Sequence, residues 1–213
     1  PLQMIEFHQN LPLPKAWKVC YPNCKDENKN EVNLMNKEGS FFSIEQLQFI
    51  EEDFFEVKII EKTENVEFLF QLKNGLTHPI SKLSYDISRS THKLDLKISS
   101  SEPINIKIRA NEILHPENIV GLGGLYNGTS LISFSPKGIE EMKQASILND
   151  SEKLWHGARS RFWSFLISPS ETVQSYSINE IETNSNSFAL NSNSESGEYH
   201  FIFYFGPIER SAL

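Results

Sequence analysis

Between Val66 and Arg109 the side chains alternate apolar and polar through four successive runs, and no other feature of the chain constrains its fold so tightly. Val66, Phe68, Phe70 and Leu72 alternate with Glu67, Leu69, Gln71 and Lys73, after which Asn74-Gly75 supplies a turn. Leu83, Tyr85 and Ile87 alternate with Ser84, Asp86 and Ser88. Leu94, Leu96 and Ile98 alternate with Asp95, Lys97 and Ser99, and Ile104, Ile106 and Ile108 with Asn105, Lys107 and Arg109. A strand turns successive side chains to opposite faces, so these runs predict a large antiparallel sheet with one dry and one wet face.

The flanking regions are less regular. Residues 1–40 are rich in Pro, Asn and Lys and predict an irregular lead-in with one strand near residues 17–20. Ser43 and Gln46 match a capping box, and Ile44, Leu47, Ile50 and Phe54 fall near helical spacing, which predicts a short helix; a strand pair through residues 41–42 and 54–60 is the alternative. A second helix is expected over residues 139–148. Residues 154–167 are dense in aromatics, the Asn/Ser stretches at 184–187 and 191–194 predict a turn and a hairpin tip, and a last strand is expected over 199–205. Gly206-Pro207 then ends that strand, with Pro207 as the first residue of a C-terminal helix. The chain is thus expected to hold a lead-in over residues 1–40 and a single β-sandwich over 41–213. A chain that opens on Pro1 and closes in the first turn of a helix is expected to be a piece of a longer parent.

Composition narrows the function. The 213 residues include 38% hydrophobic side chains and 15 Phe, enough to build a core and to exclude general disorder. A formal net charge of −8, with Lys and Arg scattered, argues against nucleic acid as a partner. Nothing approaches the roughly 20 apolar residues of a membrane span. Cys20 and Cys24 stand in Cys-Tyr-Pro-Asn-Cys, which is two ligands short of a structural zinc site; a small disulfide loop or two free thiols fit equally.

Motifs with chemistry are sparse. Gly121-Leu-Gly-Gly124 lacks the spacing of a phosphate loop and fits a turn between strands. The six histidines show no metal spacing, and no nucleophile elbow occurs. His115 and Glu117, in His-Pro-Glu, form an acid–base candidate in an expected surface loop, and His156 beside Trp155 fits a structural role. No metal, cofactor or catalytic residue is assigned.

Two late segments carry a resemblance. Residues 151–169, with Trp155, Phe162-Trp163, Leu166-Ile167 and Pro169, resemble the Trp-initiated segment of the large periplasmic domain of YidC-type membrane protein insertases. Residues 203–213, Phe-Tyr-Phe-Gly-Pro-Ile-Glu-Arg-Ser-Ala-Leu, look like that family's closing strand, Gly-Pro and helix start. Gly123-Gly124-Leu-Tyr126 is similar to its glycine turn, and residues 66–73 with 83–87 to its early strands. The resemblance covers about residues 65–213; residues 1–50 and the CxxxC pair do not match.

The resemblance implies a mainly β, antiparallel super-sandwich related in fold to galactose mutarotases, with one or two short helices, one of them C-terminal. It implies a domain on the periplasmic side of the bacterial inner membrane, carried by a membrane-anchored insertase. There it serves as a non-catalytic docking or chaperone-like surface for translocation partners or nascent membrane proteins. Pro207, Ile208, Glu209 and Arg210 are the expected partner surface. The alternative is a mutarotase-like carbohydrate-binding or carbohydrate-active protein using Trp155, Trp163, His115 and Glu117; shared fold alone does not carry activity across.

Overall fold

A computed structural model describes residues 2–8, 11–21, 24–25, 30–34, 42–47, 54–110, 129–135, 138–142, 146–149, 155–160, 162–170, 173–183 and 186–208. The first three alternating runs become β6 (Asn65–Leu72), β7 (Ile80–Ser88) and β8 (Lys93–Ser100), which with β5 (Phe55–Glu61) form a meander; the fourth becomes β9 (Asn105–Ala110), which crosses to a second sheet instead of extending the one expected. Later come β10 (Ser130–Ser135), β11 (Gly138–Glu141), β12 (Ser146–Asn149), β13 (Trp155–Arg159), β14 (Trp163–Pro169), β15 (Ser175–Glu182), β16 (Ser187–Asn193) and β17 (Glu198–Pro207). Four strands precede the meander: β1 (Gln3–Phe7), β2 (Pro14–Tyr21) and β3 (Asn30–Leu34), then β4 (Phe42–Ile44).

Three antiparallel sheets result. The largest has nine strands in the order β11-β10-β13-β14-β17-β8-β7-β6-β5, a second has five in the order β12-β15-β16-β9-β4, and β1-β2-β3 form a third. Residues of all three enter one hydrophobic core. The two smaller sheets lie on the same face of the large one, because odd-numbered residues of β17 meet both. The Phe203 ring is 5.5 Å from Phe42 of the five-stranded sheet, and the Phe205 ring 5.6 Å from Trp17 of the three-stranded sheet, each edge-on. The fold is therefore an antiparallel β-sandwich, in which the expected wet face of the early strands is the outer face of the large sheet.

The lead-in differs from its expectation. Residues 1–40 hold three strands rather than one, and Leu13, Trp17, Val19, Val32 and Leu34 join the core. Gln3 is what docks this sheet. Its buried side-chain Nε2 donates to the carbonyls of Ser88 (2.7 Å), Thr91 (3.0 Å) and Lys93 (3.0 Å), which close the turn between β7 and β8. Its Oε1 accepts from Trp17 Nε1 at 2.9 Å. The Tyr85 hydroxyl donates to the Pro12 carbonyl at 2.7 Å from the other side, and burial pushes that phenol's pKa up.

The helix expectations are also corrected. Residues 42–47 form β4 and a single 3₁₀ turn, Glu45–Leu47. Gln46 does not complete a capping box; its amide is spent across the sheet edge, donating to the Asn105 carbonyl and accepting from Lys107 N–H at 3.3 Å. Residues 138–141 and 146–149 are the edge strands β11 and β12 rather than a helix. Gly206-Pro207 does not end the last strand. β17 stays paired with β14 through Pro207, opposite Trp163, and Ile208 N–H extends the ladder to the Phe162 carbonyl at 3.0 Å. The C-terminal helix expected beyond it lies outside the described residues, as does Gly121–Gly124.

The open choice at the cysteines resolves as a disulfide between Cys20 and Cys24, with both residues buried. It closes a loop of sequence separation 4, for which loop-closure entropy gives about 2 kcal/mol. Reduction, or Cys20→Ser with Cys24→Ser, is expected to lower the unfolding free energy by about that amount in urea titrations. Gln3→Met, which keeps the side chain's length but strands the indole N–H, is expected to cost about 2–3 kcal/mol in the same assay.

Candidate functional site

Strand alternation sorts the predicted site residues before any chemistry is considered. On β13, His156 turns inward and Trp155 outward. Trp155 packs on a small cluster of Ile132, Leu166 and Tyr204 on the outer face of the large sheet, with the Lys93 ammonium 6.0 Å from its ring centroid. Trp163, at the start of β14, points into the main core against Phe205, with 8% of its surface exposed. The two tryptophans thus lie on opposite faces and do not make one stacking platform. His115 and Glu117 lie outside the described residues.

His156 is the centre of a polar bridge through the core between the large and five-stranded sheets. It is fully buried; Nδ1 lies 2.8 Å from the Ser133 hydroxyl of neighbouring β10, and Nε2 3.1 Å from the Tyr176 hydroxyl of β15. Because one imidazole nitrogen donates while the other accepts, a neutral ring satisfies both hydroxyls. Burial without a carboxylate to offset it holds the His156 pKa down, at about 4. A base that weak takes up little proton from a serine at neutral pH, so a Ser–His reaction centre is a poor description of this contact. It is a satisfied polar bridge. Sequence reading placed His156 in a structural role but missed Ser133 and Tyr176; Tyr176 shares the apolar parity of Ile178 on β15, whereas Ser133 has apolar residues on both sides of it and only the pairing of β10 with β13 brings it to His156.

The outer face of the five-stranded sheet carries a charge cluster that sequence reading also missed. Lys107 and Arg109 of β9 each pair with Glu180 of β15, and Lys107 reaches Glu45 at 3.1 Å. The hydrogen bond from Lys107 holds the Glu180 carboxyl below its ordinary range. Glu180 can reach both cations because β15 bulges between Asn179 and Glu182, where Glu180 takes a φ of 52°. Two cations against two carboxylates leave no net charge to recruit an ion. On the large sheet's outer face, His200 Nε2 lies 2.6 Å from Asp95 and the Ser84 hydroxyl donates to Glu67 at 2.7 Å. Among the described residues no group of three His, Cys, Asp or Glu could hold a metal ion.

The expected partner surface has more to show. Pro207 is half-buried and Ile208 is 45% exposed, while Glu209 and Arg210 lie outside the described residues. Phe162, 56% exposed, is joined to Ile208 by the backbone hydrogen bond that prolongs the β14–β17 ladder. Sequence reading did not place Phe162 on this surface, because residue type does not separate it from its aromatic neighbour Trp163, which is core.

These features define an antiparallel β-sandwich in which His156 and the Lys107–Arg109–Glu180 cluster find their partners within the fold, and in which Phe162, Ile208, Val57 and Ile59 are exposed at strand ends and at an edge. No family model matches the sequence, and a search of curated proteins finds no match. Similar solved structures include the Slr1438 protein of Synechocystis sp. PCC 6803, at 13% identity over 97% of this chain and 96% of that one, with a TM-score of 0.44. A galactose mutarotase-like protein from Clostridium acetobutylicum is similar at 11% identity over 71% of this chain and 65% of that one, with a TM-score of 0.39. Neither likeness bears on activity. Among the described residues no helix is long and apolar enough to cross a membrane.

The buried imidazole sets a pH dependence. Its folded pKa is about 4 against an ordinary 6.5, so protons bind the unfolded chain first. Full stability is present above pH 6.5, and about 3 kcal/mol is lost as pH falls from there to 4. His156→Gln is expected to lack this component, so that its unfolding free energy and the wild type's converge by about 3 kcal/mol over that window. Parallel curves would show that His156 titrates normally.

Proposed function

We propose that the chain is a non-catalytic extracytoplasmic docking domain of a YidC-like insertase, presenting a surface to protein translocation partners or nascent membrane proteins. The observation that carries this reading is the apolar pair Phe162 and Ile208, exposed side by side where the central strands β14 and β17 run out. Both residues belong to the two segments whose sequence resembles the insertase domain, and those segments, distant in the chain, are hydrogen-bonded neighbours. Isolated apolar side chains on a surface are ordinary, but an exposed aromatic beside an exposed aliphatic at the end of a rigid ladder has the character of a protein contact's anchor. The disulfide between Cys20 and Cys24 is consistent with an oxidising compartment.

In this role the sandwich is a rigid platform. The strands fix where Phe162 and Ile208 stand, and the acidic net charge keeps the rest of the surface soluble. Binding at such a rim uses burial of the two side chains, so the affinity falls when they become charged and the fold does not.

A photoreactive amino acid placed at Phe162 or Ile208 of the membrane-held parent is expected to yield adducts with translocation subunits or nascent membrane proteins. The same probe at exposed Glu102 is expected to give none. Phe162→Asp with Ile208→Asp is expected to weaken partner recovery about tenfold or more, with unfolding free energy changed by no more than about 0.5 kcal/mol. Equal adducts from all three probe positions would count against this end as the contact. Saturable sugar binding displaced by Trp155→Ala would favour the carbohydrate reading instead.

A further inference from the structure

Strand β5 forms one edge of the nine-stranded sheet and is exposed along nearly its whole length. With seven residues it is longer than the other described edges: β11 and β12 have four each, β1 and β3 five, and β4 three. The opposite edge, β11, is short and carries Glu140 and Glu141, which discourages pairing. β5 also carries charges, Glu56, Lys58 and Glu61, but they are of both signs and Glu56 and Lys58 can pair with their own inverted copy. It contains neither proline nor bulge, and its register with β6 runs unbroken from Phe55 opposite Leu72 to Glu61 opposite Val66.

Hydrogen bonds at its two ends show which backbone groups remain to be used. The Phe54 carbonyl accepts from Lys73 N–H at 3.2 Å, and Lys62 N–H donates to the Asn65 carbonyl at 2.9 Å. With an unbroken register between them, even-numbered residues bond to β6. The N–H and C=O of Phe55, Val57 and Ile59 therefore point to the free edge. The side chains of these three lie on the core-facing side, where Val57 is 52% and Ile59 60% exposed. Those of Glu56 and Lys58 lie on the other.

We propose that β5 is the site where a second copy of this chain adds antiparallel, about a two-fold axis through Val57. Phe55 then faces Ile59 of the second copy, Val57 faces Val57, and Ile59 faces Phe55, each pair exchanging both N–H···O=C bonds. On the opposite side Glu56 faces Lys58 of the second copy, and Lys58 faces Glu56. The contact is isologous, apolar on one side and charge-matched on the other. Moving the axis one residue along, to Lys58, would set Lys58 against Lys58 and Phe55 against Glu61, so the charges select the Val57 register. They also select the occupant: Glu-x-Lys is complementary to its own inverted copy, whereas a foreign strand would need that pattern by chance. The contact uses the sheet edge rather than the Phe162–Ile208 end and does not depend on the proposed docking role.

Sedimentation over a concentration series tests the proposal. The wild-type chain is expected to dimerise reversibly. Glu56→Lys is expected to weaken the dimer about tenfold or more, because it sets two ammonium groups face to face in both symmetry-related pairs, and Glu56→Lys with Lys58→Glu to restore it. Val57→Pro removes an N–H that β6 does not use, so the dimer is expected to vanish while the thermal midpoint stays near that of the wild type. A wild-type chain that remains monomeric throughout, a double swap as weak as the single one, or a dimer indifferent to all three variants would overturn the proposal.

Discussion

The inward row of β17 holds this molecule together. Tyr199, Phe201, Phe203 and Phe205 are each exposed by no more than 1%, and between them they touch every layer. The Tyr199 hydroxyl engages the backbone of Ile104 just before β9, the Phe203 ring meets Phe42 of β4, and the Phe205 ring meets Trp17 of β2. Each such aromatic buries roughly 150–250 Å², worth up to about 4–6 kcal/mol at the usual transfer coefficient, as an upper bound. Among the described residues no single polar contact approaches that sum. The hydrogen bonds of Gln3 and His156 tie the smaller sheets to the large one at fixed points, while the aromatic row supplies the driving force.

Much of this architecture was legible in the chain. The strands β6 to β9 follow from two-residue alternation, because each has one face on the core and one in water. β14 carries no such alternation, since all seven of its residues are buried between the core and the outer cluster, and it reads only as an aromatic-rich run. Of the lead-in strands only β2 was expected, near residues 17–20; β1 and β3 have five residues each and are stabilised from a distance, by Gln3, whose carbonyl partners lie 85 or more residues away, and by pairing with β2. Gln46 shows the same limit in reverse: a local capping pattern gave way to a tertiary use of its amide.

The functional residues were less legible. Alternation within β13 separates Trp155 from His156, and the pairing of β14 with β17 places Trp163 in the core; neither fact is contained in residue type. The contact between Phe162 and Ile208 joins positions far apart in sequence, so only the register of β14 on β17 makes them one surface. Cys20 and Cys24 are the reverse case, in which spacing alone allowed the disulfide and the turn after β2 brings the thiols together. What results is a sandwich whose interior holds satisfied polar bridges, with apolar side chains exposed at the ends of β14 and β17 and along β5.

If one aromatic row unites the three sheets, they must lose stability together. Native-state hydrogen exchange on Phe203→Leu, against the wild type, measures this residue by residue. The account predicts that the slowest amides of β14, β17 and β8, of β9 and β16, and of β2 all lose the same protection, about 1–2 kcal/mol. A loss confined to the nine-stranded sheet, with β2 or β16 keeping wild-type protection, would contradict it.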